Sequence, residues 1–179
     1  MGMGVYHKQV SDDSLETVFH EIAISGPRGT NNIAEYLAVL CALTDMYILE
    51  GARRSKGPYI DEDGWAIIHS DSQLVIKQLT GEYGVKNPDM KILYDAVKKV
   101  EDRLTQLRME VTYIWNSRDD ENQDVADKLS KIGNRYFNEK QDQEDEPISY
   151  GITELQDILL PGSYELIHRG LNWGSKRSV

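Results

Sequence analysis

Three acidic residues stand at the ends of apolar segments: Glu35 in TNNIAEYLAV, Asp71 in IIHSDSQLV and Asp127 in DVADKLSK. Carboxylates are hard oxygen donors, and divalent cations bound to them turn an acidic surface into one that attracts phosphate. Taken singly, each acid has a plainer role. Glu35 lies three residues after Asn32 and completes a capping box at a helix start. Asp71 caps the helix that follows it, and Asp127 faces solvent as most helical acids do. Only convergence in space makes a site of them.

The elements that must position these acids are read from periodicity. Gly4 to Lys8 and Leu15 to Ile24 form extended runs joined by the turn formers Ser11 to Ser14, which predicts an antiparallel hairpin. From Asn32, the residues Ile33, Tyr36, Leu37, Leu40, Leu43 and Tyr47 recur at helical spacing, and Gly51 with the polar ARRSKGP segment ends that helix. Trp65 to Ile68 is a short continuous apolar run, the pattern of a strand covered on both faces. A helix from Ser72 to Leu79 follows. After the GEYGVKNP turn, Met90, Leu93, Val97, Val100, Leu104 and Leu107 mark a further amphipathic helix, and Met109 to Trp115 a strand. The loop NSRDDENQ leads to a last helix over Asp124 to Phe137, with Val125, Leu129, Ile132 and Tyr136 on its apolar face. Hairpin, helix, strand, helices, strand, helix is an α/β order. Beyond residue 148 the signals are an apolar patch at Ile158 to Leu160 and a short strand at Tyr164 to His168.

Composition sets the bounds. A chain of 179 residues with 40% hydrophobic content suits one packed domain with a tail. The sequence has no basic segment leading into an apolar export signal and no apolar run near the roughly 20 residues of a membrane span, which places it in the cytoplasm. The one cysteine, Cys41, sits in an apolar helix and reads as an inert core thiol, which excludes sulfur ligation of a metal. The formal charge of -10 argues against a broad basic surface for duplexes. Part of that acid lies in EKQDQEDEP, a solvated linker. Nucleic acid, if bound, is bound at a local site.

The wording of the acidic segments, in order, is similar to that of a known family. TNN-x-AE before an apolar helix, SDSQLV-x-x-QL-x-GEY-x-VKNP, and R-x-x-EN ending in AD-x-LS resemble the type 1 ribonuclease H family, in its compact branch without a basic protrusion. The resemblance spans about Gly4 to Ile132. It implies an α/β, ribonuclease H-like domain at 1–140, a mixed sheet flanked by helices, followed by an acidic linker and C-terminal tail at 141–179. It also implies magnesium- or manganese-dependent endonucleolytic hydrolysis of the RNA strand of an RNA/DNA hybrid, leaving a 3′-hydroxyl and a 5′-phosphate. Glu35, Asp71 and Asp127 would be three of four carboxylates holding two ions about 4 Å apart. One ion would activate water and the other would stabilise the leaving oxygen. Asn31, Asn32 and Gln73 would touch 2′-hydroxyls and base edges in the hybrid's minor groove. Helix capping also accounts for the two asparagines, and the roles are compatible. Lys86, Asn87 and Arg118 are candidate phosphate contacts.

The chain departs from the family pattern in three ways. The family opens with a central strand ending in Asp-Gly-Ser or Asp-Gly-Ala, and no such segment precedes GMGVYHK. Its loss removes one acid and leaves two strand edges unpaired. Three accounts follow: the chain shown starts at an internal methionine, Met1 or Met3; the tail inserts Tyr164 to His168 with Glu165 replacing the lost acid; or the domain binds without catalysis. The first of these is expected. Secondly, Asp127 falls one residue later after Asn122 than the family spacing, amid Asp119, Asp120, Glu121 and Asp124. Thirdly, no histidine lies between Tyr113 and Asp127, which implies slower product release.

Overall fold

The computed structural model describes residues 2–10, 16–25, 29–55, 63–117, 120–142 and 152–154, together with Leu159, Ile167 and Leu171. The expected hairpin is present as β1 (Gly2–Val10) and β2 (Glu16–Ser25), antiparallel, with an irregularity in register between His7 and Lys8. Its turn lies outside the described residues. A short strand, β5 (Ile152–Glu154), adds in parallel to the other edge of β2. A second sheet is formed by β3 (Gly64–Ser70) and β4 (Met109–Trp115), paired in parallel from Gly64↔Met109 to Ser70↔Trp115. Between and around them run α1 (Asn31–Ser55), α2 (Gln73–Leu79), α3 (Pro88–Gln106) and α4 (Glu121–Asp142).

Helix α1 is the central post. Tyr36, Leu37, Leu40, Cys41 and Leu43 on its inner stripe are completely or almost completely buried. They share one core with Met3 and Val5 of β1, Ile68 of β3, Val75 and Leu79 of α2, and the α3 stripe Met90, Leu93, Val97, Val100 and Leu104. Thr44 is buried in the same helix, and its hydroxyl donates back to the Leu40 carbonyl at 2.7 Å, so no polar group is left unsatisfied there. By length and composition alone α1 is long and apolar enough to span a membrane, where the sequence reading expected no such segment. Its burial against four neighbouring elements is the environment of a core helix. Cys41 is inert as expected: it is fully buried, and desolvation pushes its thiol pKa up, with Asp45 adding to the effect.

Several boundaries differ from the sequence reading. Gly51 does not end α1, which continues to Ser55. Glu50 accepts from Arg53 at 2.7 Å and from Arg54 at 2.5 Å, and these local ion pairs hold the last turn. The carboxyl pKa of Glu50 is lowered accordingly, chiefly by the Arg53 hydrogen bond. Helix α4 starts earlier than expected because the Asp120 carboxylate accepts from the backbone N–H groups of Asn122 at 2.9 Å and Gln123 at 3.3 Å. Strand β3 is not covered on both faces. Ala66, Ile68 and Ser70 are buried while Trp65, Ile67 and His69 are exposed, because among the described residues helices lie on only one side of this sheet.

The tail takes part in the domain. Leu159, Ile167 and Leu171 are buried in the common core, so the core draws on both sides of residue 140. Of the strand expected at Tyr164 to His168, only Ile167 lies within the described residues. It is helical, and its carbonyl accepts from Leu171 N–H at 2.8 Å. Tyr164 and Glu165 lie outside the described residues.

The hairpin, unlike β3, is covered on both faces. Met3 and Val5 point into the α1 core, whereas Gly2 and Gly4 point the other way, under α4. A Cβ on Gly4 would run into the Ala126 carbonyl oxygen and lie 2.8 Å from both the Leu129 Cβ and the Ser130 nitrogen. Two backbones meet with no side chain between them, a contact only glycine permits. Gly4→Ala is therefore expected to destabilise the fold by about 1–3 kcal/mol through overpacking, read as a lower urea midpoint with little change in the slope of the transition.

Candidate functional site

Asp71 follows the carboxyl end of β3, where a parallel pair of strands opens towards α2. The indole N–H of Trp115, the last residue of β4, donates to the Asp71 carbonyl at 3.1 Å, and Asn116 N–H donates to the Ser70 carbonyl at 3.0 Å. Both strand ends are thereby tied together around Asp71. The helix cap beside it is Ser72, which makes no side-chain cap bond. The N-cap position of α2 is thus Ser72 and not Asp71. Gln73 is exposed on the first turn of α2.

Glu35 is half-buried in α1. The helix is capped by Thr30, whose hydroxyl accepts from Ile33 N–H at 3.3 Å. That cap puts Ile33 at the third helical position, so Glu35 is too far along to complete a capping box. Asn31 and Asn32 are exposed on the first turn of the same helix. Asn31 borders a small cavity of about 190 Å³ between α1, β1 and α4, shared with Gly2, Thr30, Ser130, Lys131 and Asn134. Asn31 and the α4 residues next to Asp127 therefore meet across one polar recess.

Asp127 behaves as the solvent-facing acid of the plainer reading. Its side chain is half exposed and pairs with Lys131, one turn on, at 2.6 Å. Among the described residues no three His, Cys, Asp or Glu side chains gather into a set able to hold a metal ion. Glu35, Asp71 and Asp127 are therefore not gathered as one three-acid set among the described residues. Of the candidate phosphate contacts, Asn87 is occupied otherwise: its side chain accepts from Asp89 N–H at 2.9 Å and Met90 N–H at 3.1 Å, capping α3. Lys86 is exposed, and Arg118 lies outside the described residues.

Two polar networks were not legible in the sequence. His69 Nδ1 donates to Asn116 Oδ1 at 3.1 Å, and the Asn116 amide donates to Asp120 Oδ2 at 3.2 Å. A histidine on β3 thereby reaches the loop between β4 and α4 in which the sequence has none. The partners are 47 residues apart, so no local signal announces them. The second network joins the helices that carry the candidate contacts. Tyr36 hydroxyl, next to Glu35, donates to Gln78 Oε1 at 2.9 Å in the interior, and the Gln78 amide reaches the Gly84 carbonyl at 3.5 Å. This locks α1, α2 and the turn after α2 to one another. Burial raises the pKa of Tyr36, with Tyr94 adding to it, so the phenol stays protonated and a donor. Nearby, Tyr113 donates to Glu101, and burial is the main cause of its own raised pKa.

With this geometry in place, comparison with solved structures decides the fold. The N-terminal ribonuclease H domain of a Mycobacterium tuberculosis protein, solved as a fusion with maltose-binding protein, is similar at a TM-score of 0.54 and 22% identity, covering 78% of this chain and 96% of that one. Ribonuclease H1 of the halophilic archaeon Halobacterium salinarum NRC-1 is similar at a TM-score of 0.54 and 26% identity, covering 74% and 86%. The chain has a ribonuclease H-like fold. No protein-family model matches it. In this ribonuclease H-like domain, the TNN and SDSQ segments lie at the first turn of α1 and at the junction of β3 with α2.

The Tyr36–Gln78 bond yields a direct check. Tyr36→Phe leaves a buried amide oxygen without its donor and is expected to destabilise by about 1–3 kcal/mol. Adding Gln78→Leu removes the orphaned group and is expected to recover most of that loss, measured by urea titration of the single and double variants.

Proposed function

We propose that this domain acts on RNA/DNA hybrids as a ribonuclease H, hydrolysing the RNA strand in the cytoplasm. The observation that carries the reading is the placing of the family-like segments on a ribonuclease H-like fold. Asp71 and Gln73 stand at the carboxyl ends of a parallel strand pair, the place where open α/β sheets bind ligands, and Asn31 and Asn32 are exposed at the first turn of α1. Short exposed amides on two helix starts suit minor-groove 2′-hydroxyls, the feature that separates RNA from DNA. An acidic protein needs such local contacts, since bulk attraction to phosphate is lacking.

Magnesium or manganese is the cofactor class this reading requires, with Glu35, Asp71 and Asp127 as its oxygen donors. The described residues hold no three-acid set able to bind a metal ion, and the exposed amides support hybrid binding more directly than turnover. The pairing of Asp127 with Lys131 favours a second reading, a ribonuclease H-like module that binds nucleic acid without cleaving it.

One assay separates the two. A labelled RNA/DNA hybrid is incubated with the chain in magnesium and in manganese, with cleavage followed on gels and binding by mobility shift. The ribonuclease reading expects metal-dependent cleavage of the RNA strand, lowered about a hundredfold or more by Asp71→Asn. Binding unaccompanied by cleavage selects the second reading. Absence of both removes the hybrid as the substrate.

A further inference from the structure

A groove of about 830 Å³ runs along the outer side of β4. One wall is made of five consecutive strand residues, 109–113, and another is an α3 stripe including Lys98, Asp102 and Thr105. Successive side chains of a strand point to opposite faces, so a groove lined by five in a row follows the strand's edge. Among the described residues β4 pairs with β3 alone.

The bonds at the two ends of that ladder identify the groups left on the open edge. Gly64 N–H donates to the Arg108 carbonyl, and Asn116 N–H donates to the Ser70 carbonyl. Alternate residues of a strand direct their backbone groups to opposite edges. The even-numbered residues therefore face β3, and Met109, Val111 and Tyr113 direct N–H and C=O into the groove. Proteins protect open edges with lysine, proline, a bulge or a covering element. The β4 sequence MEVTYIW contains neither lysine nor proline. Trp65, which also borders the groove, is 73% exposed.

We propose that the β4 edge accepts an extended, basic peptide segment of a partner protein as an added strand. Charge selects the occupant. Both basic residues of the groove are engaged, Lys98 with Glu101 at 2.8 Å and Arg108 with Asp63 at 3.0 Å. Asp102 and Glu110 have no ion-pair partner among the described residues, and both are exposed. A basic strand would meet them with opposite charge. A second copy of this chain pairing edge to edge would oppose acid to acid, and a nucleic-acid strand would bring phosphates to the same two carboxylates.

The test uses the full chain and two fluorescein-labelled eight-residue peptides, one alternating valine with lysine and the other valine with glutamate, titrated by anisotropy. The valine–lysine peptide is expected to bind at least about tenfold more tightly, with a change in Trp65 emission that Trp65→Phe removes. Val111→Pro should abolish binding while sparing the β3 ladder, because the Val111 N–H is not part of it. A melting curve checks that this variant folds. The surface variant Asp102→Lys with Glu110→Lys should reverse the preference without touching the backbone. Equal binding of both peptides, no effect of the charge reversal, displacement of the peptide by a single-stranded oligonucleotide, or a peptide-competed dimer in sedimentation each overturns the proposal.

Discussion

The buried stripe of α1 is the interaction on which the rest of the molecule depends. Two sheets, β1–β2–β5 and β3–β4, are not hydrogen-bonded to one another among the described residues, yet Met3, Val5 and Ile68 bury their side chains in one core around Tyr36, Leu37 and Leu40. Apolar burial is non-directional, so it joins elements that a backbone ladder does not. What it does not supply is register. That comes from directed polar contacts, the Tyr36–Gln78 bond inside the core and the Trp115 indole bond at the strand ends.

The two faces of the molecule are consequently unequal. The hairpin is held between α1 on one side and α4 on the other, and the second contact is close enough to require Gly2 and Gly4. Among the described residues the β3–β4 pair has helices on one face only, and Trp65, Ile67 and Ile114 are exposed on the other. An uncovered ladder with an open outer edge is a stability liability unless something binds it. The end of that ladder carrying Asp71 and Gln73 is the one suited to ligand, so the same sheet bears both surfaces of functional interest.

Each of the three acids is held in its own way. Asp71 is fixed to the sheet through its own backbone, and Glu35 to the core through its neighbour Tyr36. Asp127 rides on α4, paired with Lys131 on its own helix. Local ion pairs of this kind are weak, on the order of 0.3–0.5 kcal/mol. They set a resting orientation and are no barrier to another partner. The substrate-contact candidates are better placed, since α1 and α2 present them from helix starts that the core holds rigid.

By itself, the sequence determined the order and type of the main elements from Gly2 to Asp142, the inner stripes of α1 and α3, the inertness of Cys41 and, through the TNN and SDSQ wording, the fold. These follow from periodicity and local chemistry, which a chain carries in its own residues. Tertiary structure alone decided what joins across distance. The continuous apolar run at Trp65 to Ile68 could not reveal that one of its faces stays open, because that depends on where helices pack. Nor could residues 47 apart announce that His69 meets Asn116, or the tail that Leu159, Ile167 and Leu171 belong to the core. Whether three distant carboxylates converge is set by helix placement, and no spacing along the chain encodes it.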